Sequence, residues 1–239
     1  RQRFPAPLVP RRRRREVTER MLADGSVDTV LDEDQALATL RELVADGVTS
    51  VAICLIHSYA NPAHEQAIAR LVRDNVLPLD VSLSSDVLPE IQEFERTATT
   101  VINAYVRPKV DTYLGRMEDG LRRDGYARPL FLMQSGGGVI AASAARAAPV
   151  RLAESGPVGG ALAARALAEA AGYSDTIAFD MGGTTAKTCL ITDGEMPVTR
   201  TYEVDRAHRF KRGSGTPIAV PTVDLIEIGA GGGSFAQVN

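Results

Sequence analysis

Several features are scarce in this chain of 239 residues, and each scarcity removes a class of explanation. Cysteine occurs twice, as Cys54 and Cys189, each inside an apolar, β-rich run. Two such residues cannot make a disulfide framework; they read as small buried hydrophobes of a reduced, cytoplasmic protein. The three histidines, His57, His64 and His208, form no metal-ligand pattern with the cysteines. No apolar run reaches the ~18 residues that a membrane span needs, and no secretory leader opens the chain. An excess of positive charge is also missing: a formal net charge of -3 leaves no global basic field for nucleic acid or anionic membrane. There is no Gly-x-Ser-x-Gly elbow. Ser155 follows Glu154 but has no paired base in the sequence, so a helix-capping role outranks that of a nucleophile.

What is present is a globular composition, 44% hydrophobic and 24% charged, enough for one large domain or two smaller ones. Arg1 to Pro10 is proline-rich and reads as extended. The five arginines Arg11 to Arg15 lack interleaved aromatics and lead into an alternating segment, Arg15 to Leu22, so a solvated strand end is expected rather than a nucleic-acid patch. Asp24-Gly25 signals a turn before Val27 to Leu31, which makes the two segments a hairpin candidate. Asp32 or Asp34 can cap a helix carrying Ala36, Leu37, Leu40, Leu43 and Val44 and ending at Gly47. Val51 to Ile56 has the unbroken apolar run of a strand covered on both faces. Asn61-Pro62 opens a second helix, with Ile68, Leu71 and Val72 on its buried side, and Val81 to Leu83 is a short strand. This order predicts parallel strands with covering helices. A long amphipathic helix is predicted from about Glu93 to Arg123, kinked or broken near Arg107 by Pro108.

The second half alternates apolar strands with glycine-rich turns: Ser135–Gly138, Ser155–Gly160, Asp180–Thr185 and Gly229–Ser234. The stretch Ile177 to Ile191 organises it. A strand runs into Asp180, turns over Gly182-Gly183, passes Thr184 and Thr185, and leaves as a second strand. Glycine opens backbone angles closed to other residues and leaves room for a ligand against bare amides. Such a corner suits a phosphate, with Asp180 placed to hold a hydrated divalent cation; a plain glycine hairpin accounts for the stretch alone equally well. Several backbone clamps around one cleft would hold a triphosphate, while tight packing could explain one or two of the turns. Two decoys are excluded. Met181 to Thr188 mimics a P-loop, but Met181 and Ala186 occupy its glycine positions and Cys189-Leu-Ile191 continues as strand. Leu225 to Ser234 mimics a dinucleotide fingerprint, but Ser234 stands where Gly or Ala is required. Arg206 to Gly215 reads as a charged loop, and Pro217 to Ile228 as β-rich.

At these residues the chain resembles the hydantoinase A/5-oxoprolinase family, which includes N-methylhydantoinase A subunits and the ATP-using subunits of acetone and acetophenone carboxylases. The matching stretches are Pro7-Leu-Val-Pro10 with Arg15-Glu-Val17, Glu93 to Thr99, Asn103-Ala-Tyr105, Gln134-Ser-Gly-Gly137, Glu154-Ser-Gly-Pro157, Phe179 to Thr184 and Ile228 to Ser234. They follow family order across nearly the whole chain. The resemblance implies an α/β actin-like ATPase fold, the fold of sugar kinases and heat-shock ATPases. It implies residues 1–95 as the C-terminal part of the family's N-terminal domain, and 96–239 as the start of its nucleotide-binding domain, opening with a connector helix. It also implies ATP and Mg²⁺ as cofactors, a hydantoinase B-type partner, and a small amide or ketone substrate. Asp180 would orient the magnesium through water or the attacking group. Gly182, Gly183, Thr184 and Thr185 would hold terminal phosphates, with Gly231, Gly232, Gly233 and Ser234 in a further turn facing the nucleotide. Where many members carry an acid, this chain has Lys187. The expected activity is ATP-driven opening of a hydantoin or 5-oxoproline-like lactam, with ketone carboxylation or a chemically silent nucleotide-binding module as alternatives. The first residue is Arg1 rather than Met, and the family's first phosphate hairpin is absent, so a catalytically incomplete fragment is expected.

Overall fold

A computed structural model describes residues 6–208, 211 and 213–235. The chain is mixed α/β and divides into two compact units. The first takes Arg1–Arg128, Arg146–Val150 and Tyr202–Ala219; the second takes Pro129–Ala145, Arg151–Thr201 and Val220–Asn239.

In the first unit, β1 (Arg20–Met21) and β2 (Val27–Thr29) form the expected antiparallel hairpin, turned at Gly25 with φ +83°. Helix α1 (Glu33–Ala45) starts where the Asp32 carboxylate accepts the Gln35 N–H at 2.9 Å, and Gly47 closes its end at φ +75°. Strands β3 (Ser50–Ile53) and β4 (Asp80–Leu83) pair in parallel across a crossover that contains α2 (Ala63–Asp74). Leu31, Leu40, Ile53, Ile68, Val72 and Leu83 fill the core between them. β3 stops short of the apolar run that predicted it. Leu55 N–H donates to buried Glu65 Oε1 and Leu55 O accepts from Arg96 Nη2, so side chains take the groups a longer ladder would use. The arginine run is partly neutralised at the C-terminal end of α1: Arg13 donates to Asp46 O, and Arg15 lies 3.5 Å from Glu42.

After the short α3 (Ser84–Val87), α4 (Glu93–Arg123) runs through Pro108 as one helix, not as two. Proline removes the N–H that Ala104 O would accept four residues back. Ser50 Oγ donates to that carbonyl instead, at 2.7 Å, so the orphaned acceptor is satisfied from β3. The same helix carries a buried polar stripe, Arg96, Thr99, Thr100 and Asn103, each no more than 1% exposed. Arg96 donates to Glu90 O and Leu55 O and lies 5.4 Å from the centroid of the Tyr59 ring. Asn103 donates to Ser82 Oγ and Ala147 O, and Thr99 Oγ1 accepts the Ala219 N–H. The Glu93–Thr99 motif is therefore a hydrogen-bonded packing spine.

The second unit opens with β5 (Phe131–Met133) and β6 (Val139–Ala141), an antiparallel pair, followed by most of α5 (Ala142–Ala147), whose last two residues count with the first unit. Helix α6 (Ser155–Ala170) comes next. Ser155 is its first residue, not its cap: Glu154 holds the N-cap position and makes no side-chain capping bond. Then come β7 (Thr176–Met181), β8 (Ala186–Ile191) and β9 (Val198–Thr199). The chain returns to the first unit for β10 (Tyr202–Val204) and β11 (Thr216–Ile218), which pair antiparallel. Part of the loop predicted between them, residues 209, 210 and 212, lies outside the described residues, as do residues 1–5 of the proline-rich start. Back in the second unit, β12 (Thr222–Val223) pairs with β9, and β13 (Ile226–Ile228) with β8. The resulting antiparallel sheet has the order β13-β8-β7. Val158 and Ala161 of α6 pack against Ala178, Cys189 and Ile191 on one sheet face. Among the described residues, no helix is long and apolar enough to cross a membrane.

Candidate functional site: a glycine corner buttressed by a second glycine turn

β7 and β8 stay in register to their last residues, with Asp180 opposite Lys187 and Met181 opposite Ala186. The turn between them is closed by the Gly182 N–H donating to Thr185 O at 3.0 Å. Neither Gly182 nor Gly183 takes a positive φ, which corrects the expectation that they supply unusual backbone angles. What glycine supplies here is close approach. The second glycine turn lies directly on the first, and a Cβ on buried Gly231 would stand 2.6 Å from Gly182 O and 2.7 Å from Gly183 C and Thr184 N.

The two turns are hydrogen-bonded backbone to backbone. Gly232 N–H donates to Gly182 O at 2.9 Å, and Gly233 N–H to Gly183 O at 3.1 Å. Ser234 N–H donates to Gly231 O, and Ser234 Oγ accepts the Gly231 N–H at 3.0 Å. All four amides of the further turn expected to face the nucleotide are thus engaged within the protein. In this structure Gly231, Gly232, Gly233 and Ser234 form a buttress under Gly182 and Gly183 rather than a row of free donors. The amides of Gly183, Thr184 and Thr185 have no acceptor among the described residues. Gly183, Thr184 and Asp180 are exposed, and Thr185 is half-buried.

The other two glycine turns differ from each other. Ser135–Gly138 is a packing device: Ser135 N–H and Oγ both donate to Arg151 O at 2.8 Å, and Ser135 O accepts the Val223 N–H. A Cβ on Gly136 would meet Pro221 O at 3.2 Å. Ser155–Gly160 forms the first turns of α6, where added Cβ atoms on Gly156, Gly159 and Gly160 meet nothing within 4 Å. Gly160 and Pro157 wall a hollow of about 180 Å³ that is shared with Ala178, Asp180, Lys187 and Cys189.

Lys187 has a role that no motif announces. Its Nζ pairs with Glu154 Oε2 at the start of α6 and lies 3.8 Å from Glu227 Oε1 on β13. The Lys187 and Glu154 side chains are only 16% and 10% exposed. Alternation along β8 could have placed Lys187 on the face of Cys189, but Glu154 and Glu227 come from elements remote in sequence. Burial, with the Asp224 charge adding to it, pushes the Cys189 thiol up from its ordinary pKa, in keeping with an inert core residue.

Among the described residues, no group of three or more His, Cys, Asp and Glu side chains could hold a metal ion. One exposed carboxylate at the mouth of a bare-amide turn fits a hydrated magnesium brought in with phosphates, which keeps most of its waters. Two of the three histidines have structural partners for their rings: His57 Nδ1 is 2.8 Å from Met21 O, and His64 Nδ1 is 2.8 Å from Glu19 Oε2.

Comparison with known proteins identifies the family. Residues 96–239 match the hydantoinase/oxoprolinase family, and residues 2–76 match the hydantoinase/oxoprolinase N-terminal region. The chain belongs to the hydantoinase/oxoprolinase family. It is 32% identical to the caprolactamase subunit alpha of Pseudomonas jessenii, over 97% of this chain and 32% of that protein. The crystal structure of that ATP-dependent caprolactamase superposes with a TM-score of 0.80 over 99% of this chain and 33% of that one. A nucleotide-free acetone carboxylase structure, 30% identical, gives a TM-score of 0.82 over 99% of this chain and 32% of that chain. The 5-oxoprolinase of Saccharomyces cerevisiae is 32% identical over 85% of this chain and 15% of that protein. The chain spans about a third of the length of the first relatives it matches.

Proposed function

We propose that the protein containing this chain uses ATP and magnesium to activate a cyclic amide for hydrolysis, and that Asp180 to Thr185 is one side of its phosphate site. The observation that carries the reading is the exposed corner itself. A carboxylate and three amides without partners among the described residues sit at a turn that a second turn braces. Bare amides at fixed positions stabilise phosphate charge without reorganising. Asp180 would hold a water of the magnesium shell or orient the attacking group, and Gly183, Thr184 and Thr185 would donate to terminal phosphate oxygens. Gly182 would contribute its lack of a side chain, and the Gly231–Ser234 turn would keep the corner rigid.

Phosphoryl transfer to the amide oxygen makes its carbon an imidate-like electrophile: water adds there, the ring C–N bond breaks as nitrogen takes up the proton, and the acyl phosphate left behind is hydrolysed to carboxylate and phosphate; catalysis then rests on positioning and charge neutralisation. ATP dependence in the caprolactamase and the acetone carboxylase supports the nucleotide. We further propose the actin-like arrangement of this family, divided at residues 95/96; the separate family matches over 2–76 and 96–239 support that division. A partner of the hydantoinase B type and a cytoplasmic location complete the proposal, and the subunit names of the relatives support a multi-subunit assembly.

The likeness to acetone carboxylase favours a second reading, activation of a ketone for carboxylation. Phosphate release by the full-length protein with its partner, assayed with caprolactam, 5-oxoproline and hydantoin against acetone plus bicarbonate, separates the two. In the intact enzyme, Asp180→Asn should abolish substrate-dependent ATP hydrolysis while leaving the fold. Undiminished turnover in that variant removes Asp180 from the site.

A further inference from the structure

We infer that Lys187 is a positioning residue of the phosphate corner, whose ammonium neutralises Glu154 and Glu227 beneath the hairpin so that a polyphosphate can approach Asp180 to Thr185. This rests on the nucleotide reading above. The ladders place Asp180, Lys187 and Glu227 side by side on β7, β8 and β13, and directly opposed residues have Cβ atoms about 4.5–5.5 Å apart. Glu154 reaches the same ammonium from the start of α6. Two carboxylates therefore contact one cation, and a third, Asp180, stands opposite it on the ladder at the corner itself.

Solvent and salt screen this cluster poorly, because the Lys187 and Glu154 side chains are largely buried. Without the ammonium, the two glutamates would repel the ligand that the bare amides attract. The same ion pair fastens the first turn of α6 to β8, fixing one wall of the hollow against the strand paired with Asp180. A glutamate at a helix N-cap position is itself favoured by the helix dipole, which gives Glu154 a reason to sit near an anion site once its charge is offset.

The test is calorimetry on the full-length protein, titrating ATP with magnesium and ATP with EDTA. A divalent ion carries its own positive charge to the site, so the loss of Lys187 should be felt most without it. Lys187→Met is expected to weaken magnesium-free ATP binding about tenfold or more, and magnesium–ATP binding by a clearly smaller factor. Glu227→Gln, at a half-exposed side chain, should tighten magnesium-free binding several-fold. The double variant Glu154→Gln/Lys187→Met, which removes both charges of the buried ion pair, should recover toward wild type. Equal weakening of both forms by Lys187→Met, without recovery in the double variant, makes Lys187 a structural brace and overturns the inference. An unchanged Lys187→Met overturns it too, as does wild-type binding seen only with magnesium, because the ammonium would then not offset the glutamates by itself. A wild-type protein that binds neither form refutes the nucleotide reading, and this inference with it.

Discussion

The contact between the two glycine turns gives a sharp prediction at Gly231. Its φ is not positive, so alanine there meets no backbone penalty; the cost is entirely one of space. The added Cβ would lie 2.6–2.7 Å from three backbone atoms of Gly182, Gly183 and Thr184, whereas ordinary contact begins at 3.4 Å. Backbone of a hydrogen-bonded hairpin cannot swing aside as a flexible side chain can. The turns must separate by roughly 0.7–0.8 Å. That stretches the Gly232 to Gly182 and Gly233 to Gly183 bonds, now 2.9 and 3.1 Å, past the range of a hydrogen bond. Two lost backbone bonds plus residual strain amount to about 2–3 kcal/mol.

Gly231→Ala should therefore destabilise the second unit by that amount in urea denaturation, and should weaken ATP binding by about tenfold or more as the corner moves. Gly232→Ala is the internal control, since its Cβ would find Gly182 O at a comfortable 3.8 Å. Equal stability and equal ATP affinity in the two alanine variants would refute the buttress.

Other expectations follow from neighbouring features. Gly160→Ala places a methyl where nothing lies within 4 Å, so helix propensity should dominate and raise stability by about 0.5–1 kcal/mol, seen as an increased Tm. Arg96→Met removes the donor to two carbonyls from a side chain that is 1% exposed; urea denaturation should record a loss of about 2–4 kcal/mol, and a loss below about 1 kcal/mol would deny α4 its role as a spine. Burial, then the Glu65 charge, pushes the Cys54 thiol from 9.0 up to about 12. A raised folded pKa means stability that is complete below pH 9.0 and lost as pH climbs toward about 12, at about 1.4 kcal/mol per pH unit. Cys54→Ala should flatten that alkaline slope whatever it does to absolute stability, and iodoacetamide at pH 8 should leave Cys54 unmodified in the folded protein.

The first unit was legible where a side chain does one local job. Asp32 caps α1, Gly25 and Gly47 take positive φ, and the helix between β3 and β4 enforces their parallel pairing. It was illegible where distant groups settle a backbone need. Pro108 predicts a break because sequence shows the missing N–H and cannot show Ser50, 58 positions earlier, donating to Ala104 O. Ser155 looks like a cap for the same reason. Short-range patterning favours a hydroxyl at a helix start, yet Glu154, whose side chain pairs with Lys187 on a remote strand, holds that position.

The corner shows the same division at the level of chemistry. Glycine at Gly182, Gly183, Gly231 and Gly232 signals that something comes close to the backbone, and it is silent about what. For Gly231 the visitor is the chain itself, which removes four amides from the list of ligand donors and turns them into support. Backbone donors used in this way leave a smaller candidate site than the four glycine turns suggest, but a stiffer one. Stiffness is what an electrostatic corner needs, because fixed amides gain their advantage over water only if they do not relax around each new charge. Lys187 completes that logic from the neighbouring strand: it converts two negative charges, one buried at Glu154 and one half-exposed at Glu227, which would oppose a polyanion, into an anchored ion-pair network. Rigidity from Gly231 and charge balance from Lys187 are separable, so the Gly231→Ala/Lys187→Met double variant should show losses of magnesium-free ATP affinity that add in free energy. A loss no greater than that of either single variant would mean that the two act through one and the same displacement of the hairpin.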